Sequence, residues 1–403
     1  MERPSSRPWL RSLVLSGLRR WQHGHLTLRF PDGDLAAFGD ANATDRATVF
    51  VRDDAIARRL ILGGEIALGD AYVEGLWDAD DLVALLRLFV RNRASLKFNS
   101  PLARIAQLGS WIDERLRSNT KDGAQRNVHA HYDLGNDLYR LFLDPPTMAY
   151  SCAVYGSPEE TLEQAQTRKL ELVCSKLELA AGDHLVEIGS GWGGLAIHAA
   201  RTRGCRVTTA TVSREQLALA RERIAEAGLS DRIEVVYCDY RDLPGQYDKL
   251  VSIEMFEQVG HRFYGDFFAT CARLLKPNGI GVMQTIAMPD QDYAAYLKSV
   301  DWMQRRIFPG TCLPSLRAML EAMTKRTDLV IRHVEDIGPH YAPTLRAWRE
   351  RFLARREDAA RLGYDRAFAR TWELYLAFSE ASFAERSLQD YQLTFAHVGA
   401  RSE

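Results

Sequence analysis

Two rhythms of apolar residues run through the second half of the chain. Short apolar runs recur as HLVEIG (184–189), RVTTATV (206–212), RIEVVYCD (232–239), DKLVSIE (248–254) and GIGVMQTI (279–286). Between them lie stretches with apolar positions three and four apart, among them REQLALARERIAEAG (214–228) and FYGDFFATCARLLKP (263–277). The short runs read as buried strands and the longer spacing as helices. Their alternation predicts an α/β fold, a mostly parallel sheet with helices on both faces. DLVIRHVEDIG (328–338) and YQLTFAHV (391–398) suit an antiparallel pair at its edge.

The first hundred residues are patterned differently. Strand-like HLTLRF (25–30) and ATVFVR (47–52) precede helical spacing in 53–75 and 80–98. RSNTKDGAQRN (117–127) has no periodicity and reads as a linker, which divides the chain into domains at 1–120 and 121–403. With 403 residues there is length for both. No run of about 18 uncharged apolar residues occurs, and Arg11 interrupts the apolar stretch near the N-terminus, so neither a membrane span nor a leader is expected. The formal net charge of -1 gives no global field for nucleic acid. Six scattered cysteines without a CxxC pair suit a reducing, cytoplasmic compartment.

Ligands of an open α/β sheet lie beyond the carboxyl ends of its strands. After the first of these strands, Gly189, Gly191 and Gly194 satisfy G-x-G-x-x-G, the dinucleotide fingerprint. A dinucleotide site also needs an acid at the end of the second strand, and TTATVSREQ (208–216) has none before Glu215. The acid is instead Glu187, inside the first strand. This placement resembles the first motif of S-adenosylmethionine-dependent methyltransferases, whose cofactor carries a sulfonium and an ammonium that a carboxylate can offset. Asp239 and Tyr240 follow the third strand, where an acid and a ring could hold adenine. Ser213 and Gln216 form S-x-x-Q, a capping box that Gln216 could combine with cofactor contact.

Longer motifs carry a sharper resemblance. HAHYDLGNDLYRLFLDPPTMAYSCAVY (129–155), SIEMFEQVGH (252–261), IFPGTCLPS (307–315), PHYAPTL (339–345) and, nearer the N-terminus, GEIALGDAYVEGLWDADDLVALL (64–86) together resemble the cyclopropane-fatty-acyl-phospholipid synthase family. The resemblance implies a class I methyltransferase, Rossmann-like sheet with an acyl-covering insertion, preceded by a smaller lipid-associated domain. It implies S-adenosylmethionine-dependent methylene transfer to the cis double bond of unsaturated phospholipid acyl chains. A bicarbonate ion would be the base, held by Cys152, Glu257, the backbone at Ile286 and Tyr341, with Glu254 second to Glu257. Tyr150, Ser151, Glu187, Gly189, Gly191, Gln216, Asp239 and Tyr240 would contact the cofactor. One position departs from the pattern: the strand-end histidine is Gln284, which can donate a hydrogen bond but cannot relay a proton. Methyl branching without ring closure, or methylation of another nucleophile, therefore stays open.

Other features have plainer readings. His129, His131 and Asp133 mimic a metal cluster, but they lie in the segment that resembles a cofactor-covering lid, so no metal is expected. The aromatic-rich stretch 292–310 suits the wall of an acyl tunnel. Arg87, Arg91, Arg93 and Lys97 on the 85–98 helix could meet an anionic membrane, or the helix could simply pack on the core. The partners expected are the phospholipid acyl chains, the inner membrane surface and a second copy in a homodimer.

Overall fold

The computed structural model describes residues 8–96 and 134–401. The linker at 117–127, the domain boundary at 120, Lys97, and His129, His131 and Asp133 lie outside the described residues. The contacts divide the chain into two compact units. One takes in Met1–Leu116 together with Lys298–Ile307 and Trp348–Ser387, and the other holds Arg117–Leu297, Phe308–Ala347 and Leu388–Glu403. The two late returns to the first unit have no counterpart in the sequence reading. They split the expected insertion at 292–310 between the units.

In the first unit β1 (His25–Arg29), β2 (Leu35–Gly39), β3 (Arg46–Val51) and β4 (Trp77–Ala79) form a sheet ordered β2-β1-β3-β4. The helix Leu82–Asn92 begins at Asp81, whose carboxylate accepts from the Ala84 N–H. Its Arg87 and Arg91 both pair with Glu385, at 2.6 Å each. Arg91 also pairs with Asp45. The longer helix Ala55–Val73 is interrupted at Gly64, whose φ of 59° falls in the left-handed region that glycine occupies without strain.

The second unit carries the sheet predicted from the apolar runs. It consists of β5 (His184–Ile188), β6 (Arg206–Thr211), β7 (Ile233–Tyr237), β8 (Tyr247–Ile253), β9 (Leu275–Ala287), β10 (Leu329–Asp336) and β11 (Gln389–His397). The order is β10-β11-β9-β8-β5-β6-β7. The five strands from β5 to β9 run parallel, while β11 is antiparallel to both β9 and β10, the expected edge pair. Residues alternate between two cores. Leu185, Val207, Val235 and Val251 pack under helices Leu162–Lys176, Gly194–Arg203 and Arg214–Glu226. Val186, Ile188, Leu250 and Met283 meet helices Tyr264–Leu274 and Leu316–Arg326. Both faces of the sheet are therefore dry, as near-continuous apolar strands require. From β5 the chain first builds outward through β6 and β7, then returns to β8 on the other side of β5. That reversal leaves a crevice at the carboxyl ends, the usual place for a ligand. No helix among the described residues is long and apolar enough to cross a membrane.

Candidate active site

The residues after each parallel strand meet in one pocket. Tyr150, Ser151, Glu187, Gly189, Gly191, Gln216, Asp239 and Tyr240, all expected at the cofactor, line it together with Lys169, Glu254 and Gln258. The glycine turn shapes one wall. Gly189 and Gly191 have φ of 95° and 48°, and a Cβ added at Gly191 would meet nothing within 4 Å. Bare backbone thus faces the open pocket. Gly194 serves close approach instead: a Cβ there would lie 2.2 Å from the Thr147 carbonyl oxygen.

Ser213 proves to be a helix cap, its hydroxyl accepting from the Gln216 N–H at 3.2 Å. The reciprocal half of the box is not made. The Gln216 amide oxygen accepts from the Thr211 hydroxyl at 2.9 Å, which holds this side chain toward the pocket wall. Asp239 is clasped by Arg241 through bonds of 2.8 and 2.7 Å. Beside it the Tyr240 ring packs against Phe267 at 5.6 Å.

Glu187 is 3 % exposed, and its Oε2 has no hydrogen-bond partner in the structure. Burial pushes its carboxyl up to about 8, with Lys169 pulling the other way. A buried acceptor with an unused lone pair at a pocket wall fits a cationic ligand group. Lys169 is itself 1 % exposed and donates to Ser151 Oγ at 2.9 Å. Burial lowers its proton affinity, while Glu254, Asp144, Cys152 and Asp390 raise it.

Behind this wall lies a second layer. Glu254 follows β8 directly and sits at a φ of 46°, a region that non-glycine residues occupy only at a cost of order 1–3 kcal/mol. Its Oε1 accepts from the Cys152 N–H at 2.8 Å and from Gln284 Nε2 at 2.8 Å. Its Oε2 accepts from the Tyr341 hydroxyl at 2.6 Å. Gln284, fully buried on β9, also donates to Asp390 at 3.1 Å and accepts from Gln392 Nε2 at 2.9 Å. Glu257 Oε1 accepts from the Ile286 N–H at 2.6 Å and the Thr285 hydroxyl at 2.9 Å, and its Oε2 is buried without a partner. Burial, then the charge of Glu254, pushes Glu257 up to about 8. Asp390 is pushed well up by burial and by its two glutamate neighbours. The Cys152 thiol, also raised by burial, points at the carbonyls of Ala153 and Ile337 and is a protonated donor.

All five residues expected around the ion are thus brought together, but not around an ion. Cys152, Gln284 and Tyr341 converge on Glu254, and Ile286 on Glu257. Each of these donors already faces a carboxyl group of the chain. A bicarbonate placed among them would meet Glu254, Glu257 and Asp390, three acids, with those donors occupied. The residues present do not fit that ion. Glu257, expected to be its principal holder, is set back behind Glu254. Lys169, Thr285, Asp390 and Gln392 are the participants that the sequence reading missed. The one available signal was Asp390 and Gln392, two polar residues at the alternate spacing that shares one face of a strand.

Comparison with known proteins gives the family. The family described as mycolic acid cyclopropane synthetase matches residues 119–393. Tuberculostearic acid methyltransferase UfaA1 of Mycobacterium tuberculosis is 41% identical over 96% of this chain and 91% of its own length. The cyclopropane-fatty-acyl-phospholipid synthase of Escherichia coli is 36% identical over 88% of this chain and 89% of its own. Among solved structures, the mycolic acid cyclopropane synthase CmaA1 complexed with SAH and CTAB superposes with a TM-score of 0.63 at 31% identity, covering 67% of this chain and 97% of that one.

Proposed function

The chain belongs to the mycolic acid cyclopropane synthetase family, with the class I methyltransferase fold and S-adenosylmethionine as cofactor, and on that basis we propose that it alkylates the cis double bond of an unsaturated acyl chain in a membrane phospholipid and closes a cyclopropane ring. The observation that carries this reading is the buried acidic layer beside the cofactor pocket, in which Glu254 lines the pocket and Asp390 and Glu257 stand behind it. An alkene has no proton to lose before it attacks, so a base is needed only afterwards. What it does need is negative charge beside the cation it becomes, and preorganised charge in a dry site is a large catalytic effect.

The cofactor supplies an electrophilic methyl group on a sulfonium. The chain does the rest: Glu187 offsets positive charge, Gln216, Asp239 and Tyr240 hold the nucleoside end, and Tyr150 and Ser151 cover the pocket. In this reading the acyl chain is drawn from the inner membrane face by a cytoplasmic, peripherally bound enzyme. An apolar path to the site would let each methylene leave the bilayer at little cost.

A second reading, a methyl-branched chain without ring closure, is favoured by Gln284 and by the tuberculostearic acid methyltransferase among the relatives. Incubation with S-adenosylmethionine and mono-unsaturated phospholipid separates the readings. A methylated cation that loses a proton without closing the ring becomes a branched alkene of the same mass as the cyclopropane, so proton NMR decides: upfield cyclopropyl protons support the first reading and the olefinic protons or vinylic methyl of a branched alkene the second. No mass gain on any unsaturated lipid overturns both.

A further inference from the structure

Glu254 occupies the centre of the donor set in which a bound anion was expected. The Cys152 N–H, the Gln284 amide and the Tyr341 hydroxyl all donate to its two oxygens, at 2.8, 2.8 and 2.6 Å. Burial raises Glu254 as it raises its neighbours, but these three donors and then the Lys169 ammonium pull it back down. Asp390 and Glu257, crowded by it, keep their protons. Of the three acids Glu254 has the most donors, three against two on Glu257 and one on Asp390, so the negative charge of the cluster is best held there, and environments that separate neighbouring acids in this way are a recurrent means of assigning a base. Two further observations point the same way. Glu254 lines the cofactor pocket, whereas Cys152, Gln284, Tyr341 and Glu257 do not. Its backbone is held at a φ of 46°, a strained conformation that aims the side chain at this one place.

We propose that the Glu254 carboxylate is the catalytic base of the reaction, a built-in anion that takes the place of a bound one. The inference rests on the alkene reading above. After the methyl group has been transferred, one of its C–H bonds breaks and the electron pair of that bond forms the carbon–carbon bond that closes the ring on the cationic carbon. The proton passes to a Glu254 oxygen and is released to water before the next turnover. No external base is consumed.

The test is lipid turnover with and without carbon dioxide and bicarbonate, on the parent and on two variants. The parent should change by less than about twofold when bicarbonate is stripped. Glu254→Gln keeps the shape and loses the base, so kcat should fall by about a hundredfold or more, with S-adenosylmethionine affinity within about threefold of the parent. Glu254→Gly opens space in the same donor set, and added bicarbonate or formate should restore its rate by about tenfold. A parent whose rate collapses without bicarbonate and returns with it overturns the inference, as does a Glu254→Gln enzyme at parental rate. A folded, cofactor-binding Glu254→Gly that no anion restores overturns the placement. If neither variant folds, the bicarbonate response of the parent decides alone. Failure of the alkene reading looks different: no lipid is converted under any condition.

Discussion

Glu187→Gln should uncouple cofactor binding from pH. In the cofactor-free protein the Glu187 carboxyl is raised to about 8 by burial, so only about a tenth of it is ionised at pH 7. A sulfonium or ammonium beside it favours the ionised form. Binding therefore releases a proton below pH 8, and affinity must rise with pH until the carboxyl is ionised without help. Between about pH 7 and about pH 9 that amounts to roughly tenfold in Kd, or about 1.4 kcal/mol. With the amide, the charge-assisted contact worth about 1.5–3 kcal/mol is absent at every pH. The two proteins should then bind alike near pH 6 and differ by about tenfold or more near pH 9. Calorimetric titration of both across that range is the assay. The ligand's own amine titrates in both experiments and cancels in the comparison, whereas Lys169 remains in both proteins as a constant neighbour. Parallel curves, with the variant weaker by the same factor throughout, would refute the assignment of Glu187 to the cofactor's positive end.

Three further outcomes are expected. Gln284→Ala removes the donor shared by Glu254 and Asp390 and strands the Gln392 amide; kcat should fall by about tenfold to a hundredfold. Because the bare acids then hold protons more tightly, the acid limb of the rate profile should move to higher pH, and a drop in rate with that limb unmoved counts against the arrangement. Gly194→Ala forces a methyl to 2.2 Å from the Thr147 oxygen, so thermal melting should show a loss of about 1–3 kcal/mol together with weaker cofactor binding. Phe256→Ala empties a site ringed by Tyr264, Phe267 and Phe268 at 4.5, 4.8 and 5.5 Å; urea titration should show a loss of about 3–5 kcal/mol, and less than about 1 kcal/mol would contradict the packing.

What could be read in the chain beforehand was whatever is local. Apolar runs mark β5 to β9 to within a few residues, since burial on both faces removes the regular polar–apolar alternation. The glycine turn and the acid at 187 sit within one strand and its turn, so their meeting in a single pocket could be foreseen. Glu254 could not be ranked above Glu257, because the choice depends on whether the chain turns left-handed after β8, and nothing in SIEMFEQ says so. Lys169 lay hidden for another reason. A lysine in a helix is ordinarily solvated, and only the docking of Ser151 onto it shows otherwise. Asp390 and Gln392 show in the sequence as a polar pair but without a role, because the role comes from register: β11 pairs with β9 so that Gln392 stands opposite Gln284 and Asp390 opposite Ile286. The return of 348–387 to the first unit is equally a long-range choice.

That pairing of β9 with β11 also sets a clock. Gln392 leaves the ribosome 108 residues after Gln284, and at about 5–20 residues per second the interval is roughly five to twenty seconds. During it the chain makes both late pieces of the first unit, Lys298–Ile307 and Trp348–Ser387. Until Asp390 and Gln392 arrive, the Gln284 side chain lacks the partner of its amide oxygen and has only Glu254 for its amide nitrogen. A chain that ends before Asp390 therefore holds every residue that lines the cofactor pocket and still lacks the two side chains that fix Gln284 against Glu254.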